Sequence, residues 1–231
     1  MVAPPDPPSA PTPTHPALRP VWTAPKAAMV HVRTQSEQLF FVYTGASRAL
    51  MVNATLFLSQ TRLMLRNVGI FQDTTRSCYL RGISPELDSV ETFLDWQITF
   101  RDSLPHVRRV FCLGTSMGGY AALLFGYMLR AEAVWAFGPP TALRRDAGDA
   151  VIVPPDVPPE RADLALLLSR PNGRTKYHVY YNEGCDIDRV AATHIAQCEG
   201  VSLWPQPGED HNVVSGLLER NVLRTVLPPV S

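Results

Sequence analysis

The sequence has little of what marks several large classes of protein. Lys plus Arg and Asp plus Glu both number 21, so there is no surplus positive charge to hold a phosphate backbone. No apolar run approaches the roughly 18 to 20 residues that span a bilayer. The first residues also lack the basic start and apolar stretch of a secretory signal. We therefore expect no nucleic-acid partner and no membrane span.

Cysteine is scarce, and its spacing is not that of a zinc site. The four cysteines form no CxxC pair, and they are too few for a disulfide scaffold in a chain of 231 residues. We interpret them as buried or incidental thiols in a reducing compartment, which predicts a cytoplasmic protein. The four are Cys78, Cys112, Cys185 and Cys198.

The common cofactor motifs are also missing. The chain contains no GxxxxGK[ST] phosphate loop, no GxGxxG after its first apolar run and no HExxH metal motif. The sequence therefore predicts neither a cofactor nor a bound metal.

Proline, in contrast, is abundant and unevenly placed. Nine of the 22 prolines fall in Met1–Pro25. Because proline has no backbone donor and a fixed φ, this segment can join neither a helix nor the interior of a sheet. We predict a disordered tail over residues 1–25 and one domain over residues 26–231, a length that allows a single large core.

Beyond the tail, short strand-like runs alternate with longer runs of helical spacing. This alternation predicts an α/β domain with a mostly parallel sheet covered on both faces. The segment Thr141–Arg174 interrupts the alternation and is expected to lie above the carboxyl ends of the strands. The predicted strands are Leu39–Tyr43, Val68–Phe71, Val107–Gly114, Ala133–Phe137, Tyr177–Tyr181 and Val201–Trp204. The predicted helices are Leu56–Arg66, a helix that Ser84 caps and that runs from Pro85 to before Pro105, Tyr120–Arg130, a short helix at Arg161–Leu168, Asp188–Gln197 and Val213–Leu223.

One pentapeptide carries a chemical signal. Gly114-Thr115-Ser116-Met117-Gly118 is a GxSxG motif, preceded by the apolar run Val110–Leu113 and followed by the helical run Gly119–Phe125. This strand–turn–helix setting is that of a nucleophile elbow, where small residues let strand and helix approach while the serine hydroxyl is exposed. We predict that Ser116 is a nucleophile.

These residues resemble the α/β-hydrolase superfamily, and the resemblance covers roughly Met29 to Leu227. The sequence is also similar to a bacterial subgroup of small hydrolase-like proteins with a GTSMGGYAALLFG segment, here Gly114–Gly126, and an HNV run, here His211-Asn212-Val213. The resemblance implies an α/β-hydrolase fold: a mostly parallel central sheet of about seven strands flanked by helices, with a minimal or no cap domain. It also implies the order nucleophile, acid, histidine along the chain.

A serine hydroxyl needs a base to take its proton, and the base needs an acid to orient it. His211 stands after the last predicted strand and directly before the final helix, which is where this fold delivers its base. Asp186 and Asp188 both follow the strand Tyr177–Tyr181, and Glu183 is a more distant third candidate. Position in the loop favours Asp186, whereas the subgroup's Asp-Arg step matches Asp188-Arg189; Asp188 could instead cap a helix. Both aspartates remain candidates.

The oxyanion of acyl transfer needs two hydrogen-bond donors. The elbow itself predicts the backbone N–H of Met117 as one. The second is expected from the loop Thr44–Ser47, at Ala46 first and Gly45 next. This loop lacks the HGGG form that many lipases have.

Together these features predict a serine hydrolase that cleaves a carboxylic ester or thioester of a small acyl substrate through an acyl-enzyme. An acyltransferase with the same triad is one alternative, because sequence does not say what resolves the acyl-enzyme. A non-catalytic binding protein with the same fold is the other, because fold does not fix function.

Overall fold

A sheet of seven strands organises the part of the chain that this computed structural model describes, residues 28–143 and 153–229. The tail predicted over residues 1–25 lies outside the described residues. The strands lie in the order β1-β3-β2-β4-β5-β6-β7; all neighbours are parallel except β1, which pairs antiparallel with β3. They are β1 (Ala28–His31), β2 (Gln38–Tyr43), β3 (Asn67–Phe71), β4 (Arg109–Thr115), β5 (Ala133–Phe137), β6 (Lys176–Asn182) and β7 (Val201–Gln206).

Helices cover both faces of the sheet, and each face has its own apolar core. Successive residues of β2 show the division, because Leu39, Phe41 and Tyr43 pack into one core while Phe40 and Val42 pack into the other. The predicted α/β architecture is confirmed. The helices are α1 (Ala54–Gln60), α2 (Val90–Asp102), α3 (Met117–Met128), α4 (Pro159–Ala162), α5 (Leu164–Leu168), α6 (Asp186–His194), α7 (Val213–Glu219) and α8 (Leu223–Val226), with a short 3₁₀ turn at Leu63–Leu65.

The insertion between β5 and β6 is small where it is described. It contributes α4 and α5, which are four and five residues long, and residues 144–152 lie outside the described part. Within residues 28–143 and 153–229 no large cap domain stands over the sheet, and no helix is long and apolar enough to cross a membrane.

The helix predicted to begin at Pro85 begins five residues later, at Val90. Ser89 and Thr92 form a capping box, in which Ser89 Oγ accepts from the Thr92 N–H at 3.2 Å and Thr92 Oγ1 accepts from the Ser89 N–H at 3.1 Å. Pro85 instead lies in a turn closed by a bridge between Ser84 and Leu87. The prediction was wrong because two Ser cap signals lie close together, and the reciprocal pair at Ser89 satisfies more orphan N–H groups.

Left-handed residues end two predicted helices early. The helix predicted over Leu56–Arg66 stops at Gln60, since Arg62 has φ of 55°. The helix predicted over Val213–Leu223 divides into α7 and α8 around Asn221, at φ of 59°. Strand β1 is not among the predicted strands, because it is a four-residue edge strand that is only half-buried.

The parallel strands bring their carboxyl ends to one edge of the sheet. The loop after β2, the elbow after β4, the Gly138 turn after β5 and the start of α6 after β6 all meet there. Ligands of open α/β sheets bind at this edge.

Candidate active site

Ser116 stands between β4 and α3 in a backbone conformation that non-glycine residues rarely adopt, with φ of 53° and ψ of −124°. The turn is tight on both sides. A Cβ on Gly114 would lie 1.9 Å from the Gly118 carbonyl oxygen, and one on Gly118 would lie 2.1 Å from the Tyr43 carbonyl oxygen. Only glycine fits at either position, and strain held in this way is typical of functional sites.

A chain of two hydrogen bonds joins Ser116, His211 and Asp188. His211 Nε2 lies 2.8 Å from Ser116 Oγ, and His211 Nδ1 lies 2.8 Å from Asp188 Oδ1. A carboxylate can only accept, so Nδ1 carries the ring proton and Nε2 is free to accept from the serine hydroxyl. The arrangement has the proton-transfer geometry of a nucleophile, a base and an orienting acid.

The two aspartates of α6 meet different surroundings. Helix α6 begins at Asp186, so Asp188 is part of its first turn and is not a cap on a helix starting at Arg189. Two positions turn a helix by roughly 200°, which sends the two side chains to opposite faces. Asp188 is only 3% exposed and contacts His211, whereas Asp186 is 83% exposed and pairs with Arg189 at 2.5 Å. Of the three carboxylates that sequence suggested, the structure brings only Asp188 to His211; Glu183 is exposed.

The environment of His211 shifts its titration. The hydrogen bond to Asp188 raises the pKa of the His211 imidazole above its ordinary value of 6.5; partial burial opposes the shift, and the charges of Asp188 and Asp210 add to it. The imidazolium is therefore favoured here, which is what a base needs once it has taken a proton.

Two backbone N–H groups that the sequence predicts as oxyanion donors have no protein acceptor in the described part of the chain. Neither the Met117 N–H, at the start of α3, nor the Ala46 N–H donates to an acceptor within the described residues. The Gly45 N–H is occupied, since it donates to the Ala49 carbonyl at 3.0 Å. A Cβ on Gly45 would lie 3.3 Å from Ser116 Cβ, so Gly45 gives clearance beside the serine and Ala46 is the donor that stays free.

Gly138 is a site residue that sequence reasoning treated only as the end of β5. It has φ of +55°, and a Cβ there would lie 3.1 Å from His211 Cε1 and 3.2 Å from Asp188 Oδ2. The signal in the sequence is the Gly-Pro-Pro turn after a buried strand, but nothing local says that a histidine from far along the chain packs on it.

Asn212 and Tyr79 form hydrogen bonds that position two segments next to the site. Asn212 Nδ2 donates to the Met51 carbonyl at 2.7 Å and its Oδ1 caps α7, which fixes the segment after His211. The buried Tyr79 hydroxyl lies 3.1 Å from the Thr44 carbonyl and 2.8 Å from the Phe71 carbonyl, which ties the loop after β3 to the strand end just before Ala46.

A groove of about 670 Å³ runs beside α6, at the edge of the sheet where the serine lies. Pro140, Thr141 and Ala142, which directly follow the Gly138 turn, form one side. Ile187 and Val190 line the α6 side, and both are well exposed. This groove, named here by these five residues, also has Asp163, Asp186, Ala191 and His194 in its lining, and its apolar surface lies next to the turn that follows β5.

Comparison with known proteins gives likenesses of structure but none of sequence. No family model and no curated protein matches the chain. Among solved structures, it is similar to the esterase domain of a Rhodothermus marinus protein (TM-score 0.58, 18% identity, covering 86% of this chain and 89% of that one). It is also similar to FphF, a fluorophosphonate-binding serine hydrolase of Staphylococcus aureus solved with substrate bound (TM-score 0.57, 10% identity, covering 86% of each chain). A third similar structure is the carboxylesterase CesB of Bacillus subtilis (TM-score 0.54, 11% identity, covering 86% of this chain and 85% of that one). With its seven-stranded, mostly parallel sheet and its helices on both faces, this chain has the α/β-hydrolase fold.

Proposed function

We propose that the protein is a serine hydrolase that cleaves a carboxylic ester or thioester through an acyl-enzyme on Ser116. The observation that carries the proposal is the continuous chain from Ser116 through His211 to Asp188, with both contacts at 2.8 Å and the serine in a strained turn. A surface serine in an ordinary turn would need neither the strain nor the buried carboxylate. The esterases among its structural neighbours support the same class.

In the acylation step, His211 Nε2 takes the Ser116 proton as Oγ attacks the substrate carbonyl carbon. The negative charge then moves to the carbonyl oxygen, which accepts from the N–H groups of Met117 and Ala46. Asp188 stabilises the imidazolium through Nδ1. When the tetrahedral intermediate collapses, His211 gives its proton to the departing alcohol or thiol, and the acyl group stays on Ser116.

In the second step, His211 removes a proton from water and the oxygen of that water attacks the acyl carbon. When this second tetrahedral intermediate collapses, the bond from the acyl carbon to Ser116 Oγ breaks, His211 returns the proton to Oγ, and the carboxylic acid departs. If another alcohol, amine or thiol took the place of water, the same residues would catalyse acyl transfer. The groove beside α6 has the apolar side chains Ile187 and Val190, which suit an acyl chain or an aryl group of a small-molecule substrate. The proposed chemistry uses no cofactor.

The direct test is reaction with a fluorophosphonate probe, followed by turnover of a panel of esters and thioesters of increasing acyl length. Phosphonylation requires an activated serine, so labelling with one phosphonyl group per chain supports the proposal. If the folded protein neither labels nor turns over any member of the panel, the hydrolase proposal fails, and the fold serves binding.

A further inference from the structure

Three metal-binding side chains lie together at the start of α6, although they come from no metal motif. Among the described residues, Cys185 Sγ, a carboxylate oxygen of Asp188 and a ring nitrogen of His211 all lie within 4.8 Å of one another. Two of the three belong to the proposed triad, and Cys185 has no role in it. We propose that these three side chains form an inhibitory site for a thiophilic divalent cation, with zinc as the ion they suit best.

The state of Asp188 points to a ligand. Its Oδ1 contacts His211, while its Oδ2 is buried and meets no donor at full hydrogen-bond geometry among the described residues; the Cys185 thiol is the other polar group that interacts with this carboxylate. The residue is only 3% exposed, and a buried carboxylate oxygen without a donor or cation is costly. A cation beside Asp188 would satisfy that oxygen.

The positions of the other two donors suit an ion that arrives from solvent. Cys185 is the residue that caps α6 and is half-buried, and the His211 side chain is 49% exposed. The cluster is therefore open on the side of Cys185 and His211 and closed on the side of Asp188.

The mixture of ligands selects the ion. Zinc binds cysteine sulfur, histidine nitrogen and aspartate oxygen at about 2.0 to 2.3 Å in tetrahedral sites, which puts ligand atoms roughly 3.3 to 3.8 Å apart. Atoms already within 4.8 Å need to move by only about 1 Å to reach such a geometry. Magnesium and calcium prefer oxygen ligands alone and gain nothing from a thiolate. Water would take the fourth position.

Binding would switch off the base by changing its tautomer. In the metal complex, the cation would replace the proton that His211 Nδ1 now donates to Asp188. The imidazole would then carry its proton on Nε2, which it would take up through solvent. The Cys185 thiol would lose its proton to solvent when its sulfur binds. With a proton on Nε2, His211 could not accept from Ser116, so the acyl-enzyme would not form. This consequence rests on the proposed function, whereas the metal site itself does not.

Metal binding and inhibition are measured separately on the full-length protein. Cobalt(II) reports the site directly, because a thiolate ligand gives a charge-transfer band in the near ultraviolet. Zinc binding is then measured by the loss of the cobalt band as zinc displaces cobalt. Inhibition is measured as the rate of fluorophosphonate labelling at increasing zinc concentration, and a chelator should restore that rate. Cys185→Ser keeps a small polar group at the cap of α6, and Cys198→Ser is the control, since Cys198 is also a free, half-buried thiol.

We expect wild type and Cys198→Ser to bind one cobalt ion with the thiolate band, and zinc to slow their labelling reversibly. In Cys185→Ser the band should vanish, and the zinc concentration for half-inhibition should rise at least about 10-fold, because even outer-shell losses cost 10- to 100-fold in affinity. Wild-type protein without the band, or equal zinc sensitivity in Cys185→Ser, would overturn the metal site. A cobalt band in a protein that never labels would leave the site standing and refute the hydrolase instead.

Discussion

At the scale of single residues, the two aspartates of α6 make a matched pair for a test. Asp188 contacts His211 from a buried position, while Asp186 pairs with Arg189 in solvent. Asp188→Asn should lower kcat by about 1,000- to 10,000-fold, because an amide can hold the ring in the wrong tautomer. Asp186→Asn should stay within about threefold of wild type, since exposed pairs contribute little. Steady-state kinetics on an activated ester compares the two, and a fully active Asp188→Asn would mean that the acid lies elsewhere.

The pH profile tests the same contact in another way. Asp188 raises the pKa of His211, and the base works only when neutral, so activity should be lost as pH falls through a pKa above 6.5. Without the carboxylate the imidazole pKa falls, so the acid limb of kcat/KM in Asp188→Asn should move to lower pH. The residual kcat/KM of Asp188→Asn, measured across pH 5 to 9, gives the position of its acid limb. A limb in the same place as in wild type would show that Asp188 does not set this pKa.

At the scale of elements, the turn after β5 sets the space for His211 and Asp188. Gly138 and Gly173 have similar φ values, +55° and +62°, but a Cβ on Gly138 would crowd both site residues, whereas one on Gly173 would meet nothing within 4 Å. Each change to Ala should cost about 1 kcal/mol of unfolding free energy through φ alone. Only Gly138→Ala should also lose activity, by about 10-fold or more, because misplacement of the base is costly.

Urea unfolding and ester turnover of the two glycine variants separate strain from crowding. If Gly138→Ala kept full activity, the close approach of Gly138 to His211 would not matter for function. If Gly173→Ala lost as much activity as Gly138→Ala, strain alone would be responsible.

The loop after β3 should act on the oxyanion loop through one hydroxyl. Tyr79→Phe removes the contacts to the Thr44 and Phe71 carbonyls and should lower kcat by several-fold to about 10-fold with little change in KM. Tyr177→Phe is the control: Tyr177 is also buried and accepts from Asn172 at 3.1 Å, but it lies at the opposite end of the sheet. Both variants should lose about 1 kcal/mol of stability. Equal kcat values in the two would contradict a positioning role for Tyr79.

Much of the fold, and part of the candidate site, could be predicted from the sequence alone. The apolar runs predicted six of the seven strands, because buried parallel strands are nearly continuous hydrophobic segments. The elbow was visible because its glycines are neighbours of Ser116 in the chain. The choice between Asp186 and Asp188 was not visible, since it depends on where α6 begins, and one residue of difference rotates every side chain by about 100°. Gly138, Asn212 and Tyr79 act on partners distant in sequence, which a local pattern does not encode.

At the scale of the whole molecule, the seven strands and the three hydrogen-bonded side chains of the candidate site all lie within the described residues. The first strand begins at Ala28, and Ser116, Asp188 and His211 all lie between it and α8. We expect a chain that starts at residue 26 to fold, to unfold in urea at the same midpoint as the full chain, and to label with fluorophosphonate at the same rate. Slower labelling with an unchanged midpoint would show that residues 1–25 contribute to the site.

The proposed activity depends on Ser116 being an activated nucleophile. The most direct measurement is the mass of the intact protein after reaction with a fluorophosphonate, with the modified residue located by peptide mapping. Ser202→Ala is the matched control, since Ser202 is an exposed serine on β7. Wild type and Ser202→Ala should each gain one phosphonyl group at Ser116, while Ser116→Ala and His211→Ala, both folded, should gain none. A phosphonyl group on another serine, or undiminished ester turnover by Ser116→Ala, would contradict the account.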